Sequence, residues 1–298
     1  MSSEATKDDA GARGFGPLVS DWDEPLDAAG WDERFPGILD SVAGLAGATN
    51  IILQLARPEV GYGVIESRVH EGNVFRHPWK RARTTFTFLS VAMIGTRDEK
   101  LAYRKAVNRS HAQVVSTEAS PVKYTAMDPE LQLWVAACLF WGVADTYQRF
   151  RGPLSRERLE ELYRRCQTLG TTLQVRGSMW PADYEAFERY FTEQLGRVRI
   201  DDTVRAYLDS LVRMAMLPMP LRLLGAPLLR FFTVGFLPEP IRVQMRYPWT
   251  ARDQLFFETA IAVIGAVNRL FPRVVRQAPT LILMRDLRSR LERGAALV

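Results

Sequence analysis

Helix punctuation, unaccompanied by any sign of strands, most constrains what this 298-residue chain can fold into. Apolar residues recur at three- and four-residue steps, and prolines, glycines and capping residues stand where such segments begin and end. No run alternates strictly between apolar and polar side chains, no Asn-Gly pair marks a hairpin, and no repeat of fixed period occurs. The pattern predicts an all-α protein. It divides into a disordered or loosely packed tail over residues 1–30 and a single large helical domain over 31–298, since no Pro/Gly/Ser-rich linker separates two cores.

Ile38, Val42, Leu45, Ile51, Ile52 and Leu55 place a helix over 36–57, ended by Pro58, and a loop with Gly61, Gly63 and Gly72 follows. Its Gly-Tyr-Gly lacks the preceding strand and further glycines of a phosphate loop. The next helix covers 79–94 and stops at Gly95. Thr96 and Glu99 then form a capping box opening a helix carried to Val115. Asp128 and Pro129 are the N-cap and first-turn proline of a helix to about Tyr147. Further helices open at Pro153, Pro181, Asp201, Thr250 (with Asp253, a second capping box) and Thr280. Residues 214–238 are apolar but interrupted by Pro218, Pro220, Arg222, Pro227 and Arg230, which reads as a packed irregular connector rather than a membrane span. Gating a pocket or touching a membrane surface is the other reading of that stretch.

The net charge of +5 comes mostly from arginines dispersed along the chain, as at Arg104, Arg109, Arg149, Arg151 and Arg156. Dispersion of this kind belongs to solvated helix faces and argues against a nucleic-acid partner. Cys138 and Cys166 lie in predicted helices without a CxxC, which suits a reducing compartment. The first residues lack a basic and then apolar leader, and a cytoplasmic protein is expected.

Chemistry centres on one of only three histidines. Tyr103, Val107, His111 and Val114 share a helix face, so His111 is expected to point into an apolar groove. On the preceding helix Arg81, Thr85, Phe88 and Ala92 recur at helical steps. A single imidazole is what a haem iron needs and too little for most zinc sites, and an arginine with a hydroxyl can meet porphyrin carboxylates. Taken singly, each residue has an ordinary reading: a core histidine, a surface ion pair, a helix-lining hydroxyl. His70 and His77 read as exposed, and their spacing to His111 has no logic for a three-histidine metal site.

The ordered set Leu53-Gln-Leu-Ala-Arg-Pro58, Gly63, Glu66-Ser67, Pro78, Arg81-x-x-x-Thr85, Gly95-Thr96, His111-x-x-Val114, Tyr124-x-Ala126-x-Asp128-Pro129 and Trp134-Val135 resembles the oxygenase family of fungal mpaB-type enzymes and bacterial latex-clearing rubber oxygenases. The resemblance runs from about residue 45 to 195, more weakly to about 285. It implies a globin-like helical core binding haem b, with His111 as proximal iron ligand and Arg81 and Thr85 beside the haem. It also implies a haem-dependent oxygenase that uses dioxygen, with an electron donor, to oxidise or cleave an apolar isoprenoid or lipid-like small molecule; a peroxide-driven enzyme is the variant. Ser116 replaces a frequent glycine, and Thr84 stands where the rubber-cleaving branch has a distal lysine, which puts polyisoprene cleavage in doubt. Glu66, the carboxylate nearest the motif, is a candidate distal acid or base, whereas Tyr124 and Trp134 read as core aromatics near the pocket. The alternative is a non-enzymatic haem carrier or gas sensor. A helical interaction protein without haem is a third possibility.

Overall fold

The computed structural model of the chain describes residues 26–69 and 72–298. The expected tail lies outside the described residues as far as position 25, as does His70. From Ala28 the chain is already helical in α1 (Ala28–Arg34), where the Asp27 carboxylate caps Gly30 N–H at 2.8 Å and Trp31 is buried.

A 3₁₀ segment, Ser41–Ala46, leads into α2 (Gly47–Leu55), α3 (Pro58–Ile65), α4 (Pro78–Ile94) and α5 (Arg97–His111). The long α6 (Pro129–Arg151) is followed by α7 (Arg156–Arg165), α8 (Thr168–Thr171), α9 (Tyr184–Arg197) and α10 (Asp202–Val212). The chain ends through α11 (Met219–Phe236), α12 (Glu239–Gln244), α13 (Ala251–Leu270), α14 (Arg273–Arg276) and α15 (Ala278–Glu292). The fold is all-α, and among the described residues the only β pairing is an isolated bridge between Val115 and Thr125. Both capping boxes and the Asp128-Pro129 start form as the sequence predicts.

Three expectations need correction. Residues 58–65 form a helix, not a loop: Pro58 sits in its first turn, and a Cβ on Gly61 would stand 2.7 Å from the Leu55 carbonyl and 3.2 Å from Val204. That glycine is there for close packing. Residues 219–236 form one continuous helix rather than an irregular connector, with Pro220 in the first turn and Pro227 inside. The His111 helix stops at His111 rather than Val115, because the chain turns there and Val114 N–H bonds the His111 carbonyl at 2.9 Å.

The larger core is built around α6. Trp134 stacks on Phe191, while Phe140 meets Tyr163 and Phe187 edge-on at 5.0 and 4.7 Å. A smaller core gathers Phe150, Phe232, Phe236, Phe257 and Ile261, so α6 contributes to both. Asp40 is buried beside this junction. Its carboxylate accepts from Arg151 at 2.6 Å, from Asn268 at 2.7 Å and from Arg276.

Candidate functional site

The site forms at the open end of the α4–α5 hairpin, where the start of α4 meets the end of α5. A Cβ on Gly95 would lie 2.6 Å from the Val91 carbonyl, so the sharp exit from α4 needs glycine there. Thr96 immediately caps α5, and Glu99, which completes the box, also accepts from Arg288 of α15 at 2.7 Å. The buried Tyr103 hydroxyl donates to the Thr84 carbonyl at 2.6 Å and locks the two helices together at mid-length. Further along α5, Asn108 accepts from the Gln174 side chain, whose backbone N–H in turn bonds Gln132 of α6 at 2.9 Å. These anchors fix the last two turns of α5 and hence the direction of His111.

His111 Nδ1 is buried and has no hydrogen-bond partner. Burial, reinforced by the nearby Arg81 charge, pushes the imidazole pKa down to about 4. At neutral pH the ring is therefore uncharged and keeps a lone pair. A buried polar atom left unpaired costs about 1–3 kcal/mol, so the position is held at a cost unless a ligand meets it.

Arg81 stands one helix over. The residue is exposed, while the protein packed round its guanidinium lowers its pKa, with Tyr207 and Tyr103 opposing. Its charge is felt by His111, Tyr103 and Tyr207, which places these four groups in one neighbourhood. Tyr207 comes from α10 and packs edge-on against Phe75 at 5.3 Å. Sequence reasoning does not single it out, since nothing local ties α10 to α4.

Thr85 is half-buried on the same helix as Arg81, and its hydroxyl donates to the Arg81 carbonyl at 2.9 Å. With its proton engaged, it is left as an acceptor. Thr84 bonds the same carbonyl at 3.0 Å. Glu66 is exposed at the end of α3, where it accepts from Ser120 at 2.6 Å and Tyr124 at 2.7 Å. It thereby clamps the loop that closes with the Val115–Thr125 bridge. Tyr124 packs against Gly63, and Trp134 is fully buried with its indole donating to the Gln54 carbonyl at 3.1 Å. His77 is exposed at the start of α4. Among the described residues no three His, Cys, Asp or Glu side chains gather to hold a metal ion directly. A lone neutral imidazole can ligate the metal of an anionic, planar cofactor, and an arginine whose charge reaches it can neutralise one of that cofactor's carboxylates.

The family model for the catalytic domain of ER-bound oxygenase mpaB/B′ and rubber oxygenase matches residues 37–266, a stretch that includes Glu66, Arg81, Thr85 and His111. Uncharacterised proteins of Mycobacterium tuberculosis and Mycobacterium bovis are each 43% identical over 251 residues, covering 84% of this chain and 98% of theirs. No solved structure matches.

Proposed function

The chain belongs to the mpaB and rubber oxygenase family and carries its oxygenase catalytic domain; from that premise we propose that it is a haem b-dependent oxygenase of an apolar small molecule. One observation carries the proposal: an uncharged imidazole whose buried Nδ1 has no partner lies within reach of the Arg81 charge. These residues fit a haem. His111 would ligate the iron, and because its ring stays neutral well below pH 7, no proton has to leave first. Arg81, whose charge also reaches Tyr103 and Tyr207, would pair with a haem carboxylate. Thr85 can accept a hydrogen bond but has already committed its own proton.

When bound, the haem would supply dioxygen activation. The chain's own work is binding, orientation and exclusion of water. Phe88 of α4, Val107 of α5 and Val114 just beyond it are half-buried against the larger core and give these helices apolar surroundings. An apolar isoprenoid or lipid-like substrate suits such walls. Glu66 is engaged as a clamp, so no proton-transfer role is assigned to it. The reading includes a separate electron donor and a cytoplasmic setting, in which the buried thiols of Cys138 and Cys166 stay reduced.

The test is an absorbance spectrum of the purified protein beside His111→Ala, both expressed with a haem precursor. A Soret band that the substitution abolishes or shifts is the expected result. No band, or one indifferent to the substitution, overturns the haem reading.

A further inference from the structure

The outer surface of α11, α13 and α14 breaks the usual rule for a water-facing helix. On α11, Leu224 is 81% exposed, and Leu221, Leu223 and Leu228 are also open to solvent. The helix is long and apolar enough to cross a membrane by length and composition, yet only 28% of it is buried. A helix that is apolar on all sides normally lies inside a protein or a membrane. On α13 the inward face is Phe257, Ile261 and Gly265, while Phe256, Val263 and Leu270 (83% exposed) form a second apolar stripe facing outward. Val274 and Val275 of α14 continue it. The two helices join where Phe232 and Phe236 pack on Phe257 in the smaller core.

Charge says what covers this face. No Asp or Glu occurs from Ser210 to Pro238 or from Thr259 to Arg285, while the same segments carry Arg213, Arg222, Arg230, Arg269, Arg273, Arg276 and Arg285. Arg213, Arg273 and Arg276 pair with acids elsewhere in the chain. On α11 itself, Arg222 and Arg230 have no carboxylate partner among the described residues, and Arg230 lies over the Tyr247 ring instead. Two copies of the chain meeting through this face would bring arginine against arginine. An anionic lipid surface cancels the same charges and accepts the leucines between them.

We propose that the exposed faces of α11, α13 and α14 dock the protein onto an anionic lipid bilayer, lying in the headgroup region rather than crossing it. Crossing is disfavoured because the last turn of α11 is built into the smaller core, so a transmembrane placement would dismantle it. The inference is independent of the haem reading.

The test is co-sedimentation of the full-length protein with vesicles of phosphatidylcholine alone or with a third of phosphatidylglycerol. Light scattering in solution and thermal melts accompany it. Wild type should pellet at least tenfold better with the anionic vesicles and lose most of that binding in high salt. Leu224→Glu/Leu228→Glu and Val263→Glu/Leu270→Glu should each reduce binding about tenfold with an unchanged melting temperature, since all four side chains are already exposed. Equal binding to both vesicle types, variants that bind like wild type, or a dimer that the variants dissociate without any vesicle binding would each overturn the proposal, the last in favour of a second copy.

Discussion

The two cores of this protein depart from ordinary protein chemistry in opposite places. Around the larger core, the surface is conventional. Arg164–Glu160, Arg189–Glu185 and Arg197–Glu193 lace α7 and α9 at one-turn spacing. Its anomaly is internal: an unpartnered imidazole nitrogen and an arginine crowded by protein. Around the smaller core the apolar packing is conventional, an aromatic cluster centred on Phe257. Its anomaly is external, in exposed leucines and in Arg222 and Arg230, which have no carboxylate partner among the described residues. Folded chains satisfy packing, pairing and patterning rules together except where something else is being served. The difference teaches where to look: inward for a ligand in one half, outward for a surface in the other.

The contrast can be broken most forcefully at the joint between the halves. Asp40→Ala leaves Arg151 and Arg276 facing one another with no counter-charge, and urea titration should show a loss of about 3–5 kcal/mol. If the joint is what makes the halves cooperate, that variant should also unfold in two separable steps.

The internal anomaly has a pH signature. Unfolded His111 takes a proton near pH 6.5, whereas the folded ring resists it to about pH 4. Stability of the ligand-free protein should therefore fall as pH drops from 6.5 to 4, by up to about 3 kcal/mol, and stay flat in this respect above that window. His111→Gln should remove that share of the slope; an unchanged slope would mean that the imidazole is not desolvated.

In the smaller core, a Cβ on Gly235 would press into the Phe257 ring. Gly235→Ala should cost about 1–3 kcal/mol through overpacking, read as a lower melting temperature with the His111 environment unaltered. The smallest effect belongs to the exposed ion pairs. Arg189→Gln should change stability by less than about 0.5 kcal/mol, and less again in high salt. A larger loss there would show that the polar flank is more than solvated decoration.

Much of the fold was legible because it is written locally. Thr96 with Glu99, Thr250 with Asp253, and Asp128 before Pro129 announce helix starts through bonds made within four residues. Arg81 and His111 are legible as members of helical faces for the same reason. Tyr207 is not, because only the packing of α10 brings it to Arg81. Gly61 misleads because a glycine required by close approach looks the same in sequence as one required by a turn. The prolines of 214–238 mislead differently. Pro220 sits in a first turn, where its missing N–H costs nothing, and Pro227 frees a carbonyl on an exposed side of α11 that water can satisfy. The exposed leucines are invisible in principle to a reading that takes apolar periodicity as burial.

The Asp40 clamp also has a history in time. Its partners lie at positions 151, 268 and 276, so synthesis delivers the carboxylate long before the last two. The family-matched stretch ends at residue 266, before both Asn268 and Arg276. On a ribosome, the nascent chain would hold Asp40 with Arg151 alone until the final helices emerge. Completion of the fold is thus deferred to the end of translation, and a chain stopped early would present an acid that has met one of its three partners and is still partly hydrated to the cell's quality control.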